Sequence, residues 1–471
     1  MSIFSKTAAP GSFSLEKLWG WKSSYNLYTT RGLFALLTPL IIEQFLFLSV
    51  GAADGVMVAF LGETSISAVN MVDLLNVFIY NLVFALTTGG AVVVSQYLGA
   101  KKRKEANDSA LQLMAVKVAF TMTMMIVALA FTHPILRFFF GKAEERVMTQ
   151  AVTYFRITSL GLPLVGIYGT CTALLRCQNK TKYTMYIAMV GNLCNIIGNA
   201  LLLFVFKLGV AGAAYSTLFS RVVNTCIGLY IITNPKNEVF LTLKHGYHVA
   251  WGVIKRILFI GIPSGIENGT FQFGRLLILG LIARYGTSEI AANSIGNQLS
   301  SLSCIVGAAC GLGIITVIGK CVGAGDEGQL RYYVRKIMTL TCSMHFLWNL
   351  GLLCLSPFFH IVYKNITPET MHLALILFLI HQCFGMIMWP WSFAFPHVLR
   401  SMNDVRFTMM TSAASMIFVR VGASHLLAPV FNSGALAVWT AMVLDWIVRI
   451  SCFVGRYRSN AWRKVTFPDR Y

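Results

Sequence analysis

Residues 39–62 read PLIIEQFLFLSVGAADGVMVAFLG, and residues 263–286 read PSGIENGTFQFGRLLILGLIARYG. Each stretch opens on a proline, carries a Glu one helical turn later and closes on a glycine. The offset that carries Pro39 onto Pro263 also pairs Ala68 with Ala292, Gly89 with Gly313, and Gly99-Ala100 with Gly323-Ala324, without a gap. Farther along it pairs Leu175-Arg176 with Leu399-Arg400, Asn179 with Asn403, and Thr184-Met185 with Thr408-Met409. One fixed offset, held from Pro39 as far as Met185, marks a duplicated unit. The fold is therefore to be read as two copies of one arrangement.

Each copy is a set of apolar runs separated by short polar breaks. The first holds runs near 33–58, 68–98, 110–132, 150–175, 184–206 and 210–233. The second holds runs near 256–283, 290–319, 337–358, 370–399, 407–430 and 434–456. A helix needs about 20 apolar residues to cross a bilayer. Only helices satisfy the backbone of single spanning segments in lipid. The expected fold is an all-α integral membrane protein. It has twelve transmembrane helices in two parallel six-helix lobes, related by a pseudo-two-fold axis along the membrane normal. An even number of spans makes both copies enter from the same side, and in transporters with such repeats the substrate path runs between the halves. The expected domains are an N-terminal cytoplasmic segment (1–30), an N-lobe (31–233), a cytoplasmic linker (234–250), a C-lobe (251–457) and a cytoplasmic tail (458–471).

Composition agrees with a lipid-facing surface. The 471 residues are 56% hydrophobic and 12% charged, against roughly 25% charged in a soluble domain. The net charge of +20 is not a nucleic-acid footprint, because Lys and Arg recur in short clusters between the apolar runs. Clusters of that kind set topology. With both termini cytoplasmic, 27 of them fall on inner segments, Arg449 being counted at the inner end of the last span, against 6 in outer loops. The polar segment 1–30 lacks the apolar core of a signal peptide, so the first span is expected to direct insertion. Eleven cysteines form no CxxC pair, which indicates neither a zinc site nor a disulfide framework. No Walker loop occurs, so energy is expected from an ion gradient rather than from ATP. Paired acid/base carboxylates, a His cluster and a nucleophile elbow are also missing, and no enzyme is expected.

Ionisable residues at membrane depth are costly and tend to mark ion or substrate pathways. The acids there are Glu43, Asp54, Asp73, Glu267 and Asp445, and the bases are Lys117, Arg156, Arg221, Arg275 and Arg420. Asp54 sits near the outer end of the first span. In the fifth span, Asn195 and Asn199 share a face at i and i+4, and Ser216 and Thr217 interrupt the small-residue sixth. A carboxylate, two amides and a hydroxyl are hard oxygen donors that suit Na⁺, or a proton on the carboxylate. The asparagines serve equally as hydrogen-bonding contacts between helices. Glu43 and Glu267 each follow a helix-bending proline by one turn, and either faces a central cavity or reaches the inner interface. Asp445 and Arg449 read as an i, i+4 ion pair. Trp389, beside Pro390, is either an interface anchor or a cavity wall.

The stretches ADGVMVAFLGETSISAVN, GGAVVVSQYLGAKK, LLRCQNKTKYTM and LGVAGAAYST resemble the multidrug and toxic-compound extrusion (MATE) family, of prokaryotic type. So do GIPSGIE, AANSIGNQLSSL, GKCVGAGD, VLRSMNDVRFTM and AVWTAMVLDW in the second half. The resemblance covers about residues 30–460. It implies a V-shaped cleft between two lobes and export of small organic, cationic or amphiphilic compounds in exchange for Na⁺ or H⁺. It also implies a bacterial inner-membrane location and no cofactor beyond the coupling ion, while parallel repeats around one cleft lead to the expectation of a monomer, and the spread of basic residues to that of no nucleic-acid partner. One branch of the family carries a cation site whose positions fall here on Asp54, Asn195, Asn199 and Thr217, with Asn199 standing where that branch has Asp. Another branch places a carboxylate seven positions after the proline of the seventh span. Thr270 occupies that place here, and Glu267 lies a turn earlier. Glu43, Glu267 and Trp389 are the expected substrate contacts. The alternatives weighed are a flippase of lipid-linked saccharides, which would be expected to have extra helices or a strongly cationic cavity, and a membrane-bound enzyme or receptor.

Overall fold

The computed structural model describes residues 27–141, 143–242, 248–359 and 366–467. Most of the expected N-terminal segment, part of the linker, the end of the tail, and Lys142, Lys244 and Lys364 of the charge count lie outside the described residues.

The first half contains α1 (Thr30–Ala59), α2 (Glu63–Gly99), α3 (Arg103–Ala130), the short α4 (Thr132–Phe140), α5 (Glu145–Leu160), α6 (Leu162–Cys177), α7 (Thr181–Asn199) and α8 (Gly209–Ile232). The second contains α9 (Trp251–Ile282), α10 (Thr287–Ala324), α11 (Glu327–Leu355), α12 (Pro368–Trp389), α13 (Phe395–Ser401), α14 (Val405–Ala414), α15 (Gly422–Phe431), α16 (Gly434–Arg458) and the short α17 (Trp462–Thr466). Wider i→i+5 turns continue α7 through Ala200–Val205, join α12 to α13 through Pro390–Ala394, and join α14 to α15 through Ser415–Val421. Every expected span coincides with one of these rods. The fourth differs in shape, since α5 and α6 meet at a 43° bend, where Gly161 and Pro163 interrupt the helix. Among the described residues, nine rods are long and apolar enough to cross a bilayer unaided, and the bent pair makes a tenth. The other two, α8 and α9, are interrupted by Arg221 and by Glu267 and Arg275.

The duplication is visible in the backbone. Left-handed or positive-φ turns occur at Gly62 and Gly286 (φ 97° and 112°), at Lys101 and Gly325 (58° and 72°), and at Asn179 and Asn403 (61° and 66°). All three pairs obey the offset that carries Pro39 onto Pro263. Such φ values strain most side chains and favour Gly and Asn, which is why these residue types recur at those places, Lys101 being the exception.

Apolar cores are shared between the halves. One joins Leu33 and Leu36 of α1 to Ile314, Val317 and Ile318 of α10. Another joins Val92 and Val94 of α2 to Ile257 and Ile260 of α9 and Ile315 of α10. At the opposite end each half closes on itself, around Val58, Ala68, Val72 and Phe155 in one and around Ile278, Ala292, Leu377 and Trp439 in the other. Lobes that share a core at one end and hold separate cores at the other enclose a V-shaped cleft.

The shared end is closed by backbone contact. A Cβ at Gly99 would fall on the Lys320 carbonyl, and one at Gly323 on the Gln96 carbonyl. These contacts are reciprocal, because Gly99 pairs with Gly323 and Gln96 with Lys320 under the same offset, as a two-fold axis requires. Polar bonds reinforce the closure. Gln96 donates to the Ser401 carbonyl (2.9 Å) and to Asn403 Oδ1 (3.1 Å), and its Oε1 accepts from Arg256 (2.5 Å). Tyr28, just before α1, donates its hydroxyl to Asn179 Oδ1 (2.8 Å) and its backbone N–H to the Tyr333 hydroxyl of α11 (2.7 Å).

Candidate cation site and lobe interiors

Three helices of the first lobe bring Asp54, Asn195, Asn199 and Thr217 together. Asp54 comes from the last third of α1. Asn195 and Asn199 lie one turn apart on α7, and Thr217 faces them from α8. Asn199 donates to Asp54 Oδ1 (2.5 Å) and to Asn195 Oδ1 (3.4 Å), and Asn195 donates to Thr217 Oγ1 (3.3 Å). Ser216 adds a bond from its hydroxyl to the Asn195 carbonyl (2.8 Å), pinning α8 to α7. The two asparagines are 3% and 0% exposed, while Asp54 is partly open. The result is one polar chain running inward from a reachable carboxylate.

Local sequence explains why that chain fits. Gly198 lies against the Ser216 side chain, so closely that a Cβ there would collide with the hydroxyl. The wide turn Ala200–Val205 begins immediately after Asn199, and such turns often occur at functional sites. Asn199 Oδ1 is buried and accepts nothing. An amide rotated by half a turn would present that oxygen to Asp54's side, and O/N placement in such amides is set by the network around them. With one carboxylate and three neutral side chains, the group would neutralise a single positive charge. Among the described residues no cluster of three or more His, Cys, Asp or Glu forms a metal site.

Nearby, Arg221 of α8 bonds to the Tyr80 hydroxyl and to the Thr158 carbonyl (3.2 Å). Asp73 of α2 is exposed and lies close enough to Asp54 for their charges to interact. Lys117 is fully buried between α2, α3 and α6 and donates to Thr87 Oγ1 (2.6 Å).

Glu43 and Glu267 do not open onto a cavity. They are 5% and 6% exposed. Glu43 pairs with Arg176 and accepts from Thr184 (2.7 Å). Glu267 pairs with Arg400 at 2.7 Å and lies 3.7 Å from Arg449. Arg176 and Arg400 are repeat partners, so each lobe ties its first span to its fourth with the same buried Glu–Arg latch. Arg449 is also drawn away from the expected i, i+4 pairing with Asp445. It stacks over the Phe393 ring (4.5 Å) and donates to Ser412 (3.0 Å), while Asp445 accepts from Ser415 (2.5 Å). Burial explains the difference, since both side chains sit inside the helix bundle, where α9, α14 and the wide turns Pro390–Ala394 and Ser415–Val421 supply their partners. Trp389 is half-buried within the second lobe, stacked between His345 (5.3 Å) and Phe393 (5.1 Å) and packed on Gly307. It is an internal packing residue rather than an interface anchor.

The MatE family profile matches the chain twice, over residues 39–201 and 263–424. The two matches begin on Pro39 and Pro263, the duplicated prolines. The uncharacterized transporter YisQ of Bacillus subtilis is 25% identical, over 92% of this chain and 95% of its own length. A probable multidrug resistance protein NorM of Thermotoga maritima is 26% identical, over 92% of this chain and 93% of its own. Among solved structures, an outward-facing multidrug resistance MATE transporter of the MOP superfamily superposes with a TM-score of 0.84 at 18% identity, over 92% of this chain and 96% of that one. A MATE structure in the bent conformation gives 0.82 at 18% identity, over 93% and 100%.

Proposed function

The chain belongs to the MatE family of membrane transporters, and on that premise we propose that it is a secondary active exporter driven by a Na⁺ or H⁺ gradient. It exchanges the ion for small organic, cationic or amphiphilic compounds by alternating access. Members of the family are transporters, not enzymes. The observation that carries the reading is the Asp54–Asn199–Asn195–Thr217 chain across α1, α7 and α8, set in a lobe whose far end is free of the other lobe. A cation on Asp54 removes a buried net charge and changes how these three helices hold together. Coupling follows only if the ion binds one conformation more tightly than the other.

The 27-to-6 distribution of Lys and Arg supports the orientation. On that reading both termini and residues 101–104 are cytoplasmic, the shared core lies on that side and the cleft opens outward. The lobes are taken as 31–233 and 251–457, joined by the linker 234–250, in a monomer of the bacterial inner membrane. Proteoliposomes loaded with a fluorescent organic cation, given separate Na⁺ and H⁺ gradients, test this. Export that follows one gradient supports the reading, and export indifferent to both would sink it.

A further inference from the structure

Lys117 is a buried cation that the exchange described above does not use. It is 0% exposed, near the middle of α3, and donates to Thr87 Oγ1 at 2.6 Å. Thr87 gives its own proton to the Val83 carbonyl (2.9 Å). An ammonium has three donors, yet among the described residues Lys117 makes only that one side-chain bond and has no carboxylate within 4.0 Å. Glu43 is already held by Arg176 and Thr184. Arg176 is itself close enough to Lys117 for the two like charges to interact. Charge at membrane depth without a counter-charge is costly and points to a function.

The duplication shows that the fold does not require this lysine. Under the offset that carries Pro39 onto Pro263, Lys117 falls on Thr341, Thr87 on Gly311 and Gly169 on Phe393. Gly169 is what makes room, since a Cβ there would lie 2.8 Å from Lys117 Nζ. The cation, its hydroxyl partner and the glycine that admits it therefore belong to the first lobe alone.

Thr87 is also where Lys117 comes up against a small cavity between the lobes. Thr87 and Thr88 of α2 and Arg176 of α6 line it from the first lobe, and Ile315 and Thr316 of α10 line it from the second. Its volume of about 20 Å³ suits a single body near the size of a water molecule. The Nε of Arg176 is buried and unpartnered. We propose that this cavity binds a small inorganic anion, chloride, with Arg176 and the Thr316 hydroxyl as donors and Lys117 supplying the balancing charge from behind Thr87. Sulfate and organic carboxylates are too large for it. Because both lobes wall the cavity, the anion binds only while α10 stands against α2 and α6. Chloride then favours the state with this end closed, through its differential affinity for that state. The site shares no residue with the Asp54 chain and does not depend on which compound is exported.

The test uses the purified full-length protein in detergent, with chloride replaced by gluconate at equal ionic strength. Tryptophan fluorescence gives the unfolding midpoint, and spin labels at positions 104 and 328 report the closed end. About 100 mM chloride should raise the midpoint by about 3 °C and enlarge the population with the short label distance. Bromide should act like chloride, and sulfate should not. Lys117→Met keeps the length of the side chain without its charge and should abolish both effects. Thr316→Val, in the facing lobe, should raise the chloride concentration needed by about tenfold, the scale of one hydrogen bond to a charged group. Should Lys117→Met fail to fold, Thr316→Val decides. Equal midpoints and distances in chloride and gluconate, a response to sulfate as large as that to chloride, or a chloride response unchanged in the folded variants overturns the anion site.

Discussion

Replacing Glu267 by Gln should destabilise the second lobe rather than simply disable transport. The carboxylate is 6% exposed, 2.7 Å from Arg400 and 3.7 Å from Arg449. A glutamine keeps the volume and one acceptor but leaves two buried arginines without their counter-charge. Removing one partner of a buried pair costs about 3–5 kcal/mol. The retained acceptor places Glu267→Gln near the lower bound, about 3 kcal/mol, so the midpoint of a lobe of this size should fall by about 6–12 °C. The assay is tryptophan fluorescence during heating of the detergent-purified protein. Arg400→Gln added to Glu267→Gln should recover part of the loss, because the two residues act as one unit. A Glu267→Gln protein with the wild-type midpoint and lost export would refute the latch and return the carboxylate to a ligand-binding role.

Glu43→Gln should lower the midpoint similarly, since Arg176 stands in the same relation to it; an unchanged midpoint would deny that the latch is duplicated. Gly323→Leu places side-chain atoms on the Gln96 carbonyl and should force the closed end apart. Spin labels at positions 104 and 328 should then move apart relative to wild type, and an unchanged distance would contradict the closure described. A cysteine at position 104 in a cysteine-free background should resist impermeant reagents added to intact cells, and its labelling would invert the orientation.

Much of this architecture is legible in the sequence because one offset carries it. The offset aligns Glu43 with Glu267 and Arg176 with Arg400, yet it does not show that each Glu meets its Arg. That contact joins spans far apart in sequence, and only the packing of the first span on the fourth creates it. The i, i+4 spacing places Asn195 and Asn199 on one face of α7, and joining them with Asp54 and Thr217 is what the resemblance to the MATE family implies. Arg420 was visible as a charge at membrane depth, but its approach to Phe271 depends on the wide turn at Ser415–Val421, which leaves no mark in composition. Asp445 and Arg449 show the opposite failure. Their spacing suggested a local pair, and tertiary partners prevailed. The same holds for the tail, where α17 docks with Trp462 fully buried against the second lobe in a stretch that reads as polar and cytoplasmic.

The central claim is that Asp54 is where the coupling ion acts. The direct measurement is export by Asp54→Asn in proteoliposomes under an imposed Na⁺ or H⁺ gradient, beside wild type, Asn195→Ala and Thr217→Ala. Asn preserves the shape and the bond to Asn199 but cannot gain or lose a charge. The account predicts an inserted, folded Asp54→Asn protein without gradient-driven export, and a weaker ion dependence in the other two variants. Wild-type export by Asp54→Asn, with the same ion dependence, would contradict it.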